Sequence, residues 1–141
     1  MDGTSDKSIA LLPIQPRFAK TIMAGKKKVE FRKTRFRNEI AYIVVYASSP
    51  VKKILGYFEV SHIDEDSPKK LWGRYNRIGG IFYKQFRSYY SSSPRGIAIA
   101  VRKVYALRNP LELSTLGKSL CVPQSFKYLT KSAFDKIRRY A

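Results

Sequence analysis

Three side chains with complementary chemistry stand close together early in the chain. Lys27, Glu30 and Arg32 follow Gly25 in the pattern G-x-K-x-x-E-x-R. The segment Lys28 to Arg32 alternates polar and apolar residues and predicts a strand. On it Glu30 and Arg32 share one face while Val29 and Phe31 take the other. A carboxylate between two cations can hold both in place while they meet a phosphate, or it can accept from the amino group of a base. In an enzyme, Lys27 and Glu30 would be the acid/base pair. The plainer alternative is a solvated strand face, whose ion pairs are each worth about 0–1 kcal/mol.

The charge of the whole chain favours an anionic partner. Its 141 residues hold 28 Lys plus Arg against 10 Asp plus Glu, a formal net charge of +18. Apolar residues make up 44%, so a folded domain and not a disordered polycation carries that excess. Residues 1–66 hold 12 basic and 8 acidic side chains, whereas residues 67–141 hold 16 and 2. Such a surface calls for nucleic acid before an anionic membrane.

Other chemistries are excluded by count. Cys121 and His62 are the only cysteine and histidine, which removes intrachain disulfides, cysteine clusters and two-histidine metal sites. No metal or cofactor is expected. No apolar run reaches the length of a membrane helix, and the polar, acidic opening from Met1 to Ser8 does not suit a signal peptide. The reading is a cytoplasmic monomer with a flexible stretch at 1–8 and one domain over 9–141.

The elements that must position these residues follow from pattern. Ile9 to Ile14 predicts a strand, demoted to an edge or an end by Pro13. Gln15 to Ala24 predicts a helix that starts at Pro16 and stops at Gly25. Ile40 to Ala47 is apolar on both faces and predicts a central strand. Lys53 to Ile63 predicts another, ended by Asp64, Glu65 and Asp66. A helical insertion at about 67–91 has Ser67 as cap and carries two helices, the second from Ile81 to Tyr90. Gly96 to Leu107 predicts a long strand, and Pro110 to Leu116 a turn or short helix. Ser132 with Asp135 predicts the cap of a last helix at about 131–140. Five or six strands around a helical insertion predict an α+β, small mixed-barrel fold.

Further candidates lie along these elements. Lys26, Lys28 and Arg35 extend the basic run, and Lys70, Arg74 and Arg77, with Lys84 and Arg87, form basic helix faces. Phe82, Tyr83, Phe86, Tyr89 and Tyr90 fall on one helical face, where burial accounts for them. Trp72 and one of Tyr89 or Tyr90 stand as stacking candidates. Ser48 and Ser49 close the central strand; a serine hydroxyl can be activated by a lysine, which pairs Ser48 with Lys27.

The G-x-K-x-x-E-x-R motif, with the segments "ALLPIQPRFAKTIMAGKKKVEFRK", "SPVKKILGYFEV" and "VPQSFKYL" in that order, resembles the ASCH domain family, a branch of the PUA-like β-barrels. The last segment is similar to a signature in a branch described as transcriptional regulators. The resemblance implies a five- or six-stranded barrel with flanking helices and a nucleic-acid-binding cleft beside the first helix. It would place Gln124 and Tyr128 of the closing segment at that cleft. Some relatives are described as ribonucleases. Others resemble amidohydrolases of acetylated cytidine that use a lysine and a threonine; Lys27 matches the lysine, but Glu30 stands at the threonine position. A non-catalytic nucleic-acid-binding module, with RNA preferred and DNA as the alternative, is therefore the first expectation. A ribonuclease or nucleoside hydrolase is the second, and a protein-binding adaptor the third.

Overall fold

A computed structural model describes residues 7–141. The expected flexible stretch lies mostly outside these residues, although Ser8 already belongs to the first strand. The order is β1 (Ser8–Ile14), α1 (Pro16–Met23), β2 (Val29–Arg32), β3 (Ile40–Ala47), β4 (Lys53–Asp66), α2 (Pro68–Tyr75), α3 (Tyr83–Tyr90), β5 (Gly96–Leu111), β6 (Lys127–Leu129) and α4 (Lys131–Arg138). One sheet holds all six strands in the order β2-β5-β4-β3-β1-β6.

Alternation along the strands builds two of the three cores. In β1, Ala10, Leu12 and Ile14 join Ile43, Val45 and Ala47 of β3 under Ala19 and Ile22 of α1. Leu11 of β1 and Val44 and Tyr46 of β3 point the other way, onto Phe134 and Ile137 of α4. This two-sided burial is what the uninterrupted apolar run of β3 requires. A third core puts Val29 and Phe31 of β2 against Leu71 of α2 and Phe86 and Tyr90 of α3.

Several expectations are corrected. Of the two places that Pro13 allowed, the edge is overturned, since β1 pairs in parallel with β3 and antiparallel with β6, and the end holds, since Pro13 is one residue from the end of the strand. Pro13 is tolerated there because β6 covers only Ile9 to Leu11, leaving the proline beyond the ladder where its missing N–H would be needed. The acidic cluster does not end β4, which pairs with β5 as far as Asp66. Arg74 donates to Asp64 and Asp66, each at 2.7 Å, and so supplies the countercharge that the strand itself lacks. α3 starts at Tyr83, not Ile81. β5 runs on to Leu111. The last helix is capped by Thr130, whose hydroxyl accepts from the Ala133 N–H at 3.1 Å, and not by Ser132.

The sheet is also not closed by a strand ladder, because β2 and β6 are unpaired edges. A side chain spans the gap. The Arg32 guanidinium, at the end of β2, donates to the Pro13 carbonyl of β1 at 3.1 Å and to the Ser125 carbonyl before β6 at 3.0 Å. Phe36 and Phe126 meet edge to face at 4.7 Å and join the first core beside it.

Candidate nucleic-acid cleft

The turn after α1 delivers the three motif residues to one place. Gly25 takes φ +77°, a conformation glycine adopts without strain. The Thr21 carbonyl then accepts from both the Lys26 and Lys27 N–H groups, at 3.0 and 3.1 Å. That tight reversal lays Lys27 against the start of β2. Register with β5 sets Glu30 opposite Ile99 and Arg32 opposite Ile97.

The three charges converge. The Lys27 ammonium lies 3.7 Å from Glu30 Oε1, and Arg32 Nη1 lies 3.3 Å from Glu30 Oε2. Lys27 is 2% exposed and Glu30 7%, so the solvated-face alternative is excluded. The cover comes from the loop between α2 and α3. Lys27 Nζ donates to the Gly79 carbonyl, and the Lys28 N–H donates to the Ile78 carbonyl at 2.9 Å. Burial pulls the Lys27 amine below its ordinary value, while the neighbouring Glu30 carboxylate pulls it back up. The rings of Phe18 and Phe31 lie 5.1 and 5.6 Å from its nitrogen, close enough for a cation–π contribution.

Gly80 makes this cover possible. It takes φ +61°, and a Cβ built there would sit 2.7 Å from the Lys27 Cβ. We expect Gly80→Ala to cost about 2 kcal/mol, from the left-handed backbone and the clash together, seen as a Tm lower by several degrees. An unchanged Tm would mean that the loop does not close on Lys27.

Above these residues opens a cleft of about 560 Å³, a size that accommodates one nucleotide. Its walls are Arg17 and Phe18 of α1 and Lys84, Gln85 and Tyr89 of α3, with Lys27, Glu30 and Arg32 at its base. The Arg17 guanidinium lies 4.6 Å from the centre of the Phe18 ring. The Gln85 amide, turned so that its oxygen faces that guanidinium, accepts from Arg17 Nη1 at 3.1 Å. The Tyr90 hydroxyl donates to the Arg32 carbonyl at 3.0 Å, anchoring the base of the cleft from below; burial pushes its pKa well up.

The other candidates disperse. Lys26 and Lys28 are exposed outside the lining. Arg35 is exposed and 3.8 Å from Glu65. Lys70 and Arg77 are exposed, but Arg74 is committed to its two carboxylates. Lys84 lines the cleft, while Arg87 faces a neighbouring groove. Ser48 donates to the Ile14 carbonyl at 3.3 Å; neither it nor Ser49 lines the cleft. Trp72 packs on Tyr83 and Phe86 at 5.1 and 4.9 Å. Gln124 lines a separate cavity of about 180 Å³, to which Arg32 and Tyr89 also contribute. The Tyr128 hydroxyl accepts from the Arg37 and Asn38 N–H groups, both at 3.2 Å, so its role is to hold the loop before β3. Of the stacking candidates, Tyr89 lines the cleft, whereas Tyr90 is buried.

Arg17, Phe18 and Gln85 are the cleft residues that the sequence reading missed. Arg17 carried one signal: a cation in the first turn of a helix opposes the helix dipole, which is favourable only if something nearby compensates. Among the described residues no His, Cys, Asp and Glu side chains group as metal ligands, and no helix is long and apolar enough to cross a membrane.

A mixed six-stranded sheet with flanking helices and a polar cleft beside the first helix is the arrangement of a PUA-like domain. The chain belongs to the ASCH domain family, whose profile matches residues 12–100. It is 31% identical over 140 residues to a protein of Zymomonas mobilis subsp. mobilis called an ASCH domain-containing ribonuclease, covering 97% of this chain and 95% of that one. The crystal structure of ASCH from Zymomonas mobilis superposes with a TM-score of 0.87 at 30% identity, covering 95% of this chain and 96% of that one. The N-terminal domain of Staphylothermus marinus McrB shares the fold, with a TM-score of 0.62 at 14% identity over 96% of this chain and 95% of that one.

Proposed function

We propose that this protein binds RNA and seats one nucleotide in the cleft between α1 and α3. The observation that carries this reading is the buried Lys27–Glu30–Arg32 cluster at the base of a nucleotide-sized cleft walled by cations and an aromatic ring. Glu30 is occupied by both cations, so its part is to hold them. Lys27 donates one hydrogen bond, to the Gly79 carbonyl, and pairs with Glu30 at 3.7 Å, so its ammonium keeps donor capacity for a phosphate or base oxygen. Arg32 is tied to two carbonyls and Glu30. We therefore assign it to positioning, and give first contact with phosphate to Arg17 and Lys84. Any part in transcription or RNA metabolism would follow from which RNA is held.

Binding of fluorescein-labelled triuridylate, read by anisotropy, tests this. Arg17→Ala should weaken it about tenfold, the scale of one charge-assisted contact, at an unchanged Tm. An Arg17→Ala protein that binds as tightly as the parent would refute the assignment of the cleft.

A second reading, cleavage of the bound RNA, is favoured by two observations. The full-length relative carries the name ribonuclease, and desolvation has made the Lys27 amine easier to deprotonate than an ordinary lysine. Lys27 would then move a proton at the 2′-hydroxyl or at the leaving oxygen. On this reading Lys27→Met abolishes turnover of labelled RNA by protein freed of contaminating nuclease. Turnover that survives the substitution would refute Lys27 as the group that moves the proton.

A further inference from the structure

The aromatic face of α3 is not buried as its periodicity predicts. Phe86 and Tyr90 are inside, but Phe82 is 80% exposed and Tyr83 52%. Trp72 packs against Tyr83 at 5.1 Å, so the tyrosine ring is held in position while much of it stays open to solvent. Around them the surface is cationic. No acidic residue occurs anywhere from Ser67 to Leu111. A groove of about 630 Å³ runs along this side of the helix, lined by Tyr83, Arg87, Ser91 and Ser92, and it shares Lys84 and Ser88 with the cleft. The two depressions are therefore continuous across one edge of α3.

Two large open rings, two cations and a row of hydroxyls beside a nucleotide-sized cleft match one kind of ligand. Rings can stack only on bases whose faces are free, and in a duplex those faces are already covered. The cations and hydroxyls suit the phosphates between such bases. An apolar protein partner would not call for the missing acids, whereas a polyanion does.

We propose that the outer face of α3 is a track for single-stranded RNA, which passes from the cleft over Lys84 to stack on Tyr83 and Phe82. This rests on the nucleotide-binding reading of the cleft and extends it by several nucleotides. It makes the substrate class an unpaired strand and not a duplex or a free nucleotide.

The test compares labelled triuridylate, nonauridylate and a nine-base-pair RNA duplex by anisotropy, with the whole protein and with the doubly substituted Phe82→Ala/Tyr83→Ala. Phe82 is 80% and Tyr83 52% exposed, so the variant should stay folded, with a Tm lowered only by the lost Trp72–Tyr83 contact. The expected result is that nonauridylate binds at least about tenfold tighter than triuridylate. The double variant should lose that gain while binding triuridylate normally, since base stacking supplies this scale of affinity. A nonamer that binds no better than the trimer, or a double variant that keeps the whole gain, overturns the track and leaves the cleft standing. Equal losses on single strand and duplex overturn it in favour of plain charge attraction. Sedimentation of both proteins adds a further outcome: if the substitutions change only self-association, the face is a protein interface and the proposal fails. Absence of trimer binding in the parent would instead remove the cleft reading itself.

Discussion

Glu30→Gln should destabilise the protein by about 3–5 kcal/mol, the usual cost of removing one partner from a buried ion pair. Glu30 is the only carboxylate within ion-pair distance of Lys27 or Arg32 among the described residues. Its loss leaves a 2%-exposed ammonium with the Gly79 carbonyl as its remaining acceptor. Arg32 suffers less, because two carbonyls still accept from it. Adding Lys27→Met should therefore recover most of the loss, since methionine fills a similar volume without a charge. Urea denaturation of the parent, both single variants and the double variant measures the coupling directly. A Glu30→Gln loss below about 1 kcal/mol, the range of exposed pairs, would mean that the cluster is hydrated.

The same cluster gives a pH signature with a defined sign. Burial lowers the folded-state Lys27 pKa below the ordinary 10.5. In the window just below that value the unfolded chain holds a proton that the folded chain has released, so stability rises with pH there. Relative to Lys27→Met, the parent should become more stable as pH climbs toward 10.5, and the difference should level off at lower pH.

RNA affinity should fall steeply with salt. Arg17, Lys26, Lys28, Arg77, Lys84 and Arg87 are exposed and in no ion pair among the described residues. A strand whose phosphates meet the three of these that line the cleft and groove, Arg17, Lys84 and Arg87, has a log–log salt slope of about −2, a loss of roughly 20-fold between about 50 and 200 mM. Anisotropy titrations of nonauridylate across that range measure the slope. A slope near zero would rule out a phosphate-led interaction. On the proposed function, burial divides the labour: the exposed cations would supply approach and generic affinity, while the buried cluster and the cleft rings would decide what is held.

Local chemistry was legible residue by residue. The stop at Gly25 needed only the conformational freedom of glycine. The two-sided burial of β3 followed from an apolar run without alternation. The shared face of Glu30 and Arg32 followed from the two-residue period of a strand. The +18 charge sufficed to point to a polyanion. The end of β4 was misread because three successive carboxylates look like a loop until Arg74, on the next helix, neutralises two of them.

What sequence alone determined, then, is which residues share a face and where turns are permitted, because both depend on neighbours a few positions away, and the sign of the protein's own charge, because that is a sum over its composition. Only the tertiary structure decided which faces are covered. Lys27 and Glu30 became a buried pair because the cover arrives from Gly79, 52 residues further on. Arg32 became a clasp across the open edges of the sheet because its acceptors lie 19 and 93 residues away. Phe82 stayed outside because the helix begins only after it, with Phe82 as its extended N-cap, and Tyr83 stayed half exposed because periodicity defines a face but not how wide a strip of it the neighbouring elements reach.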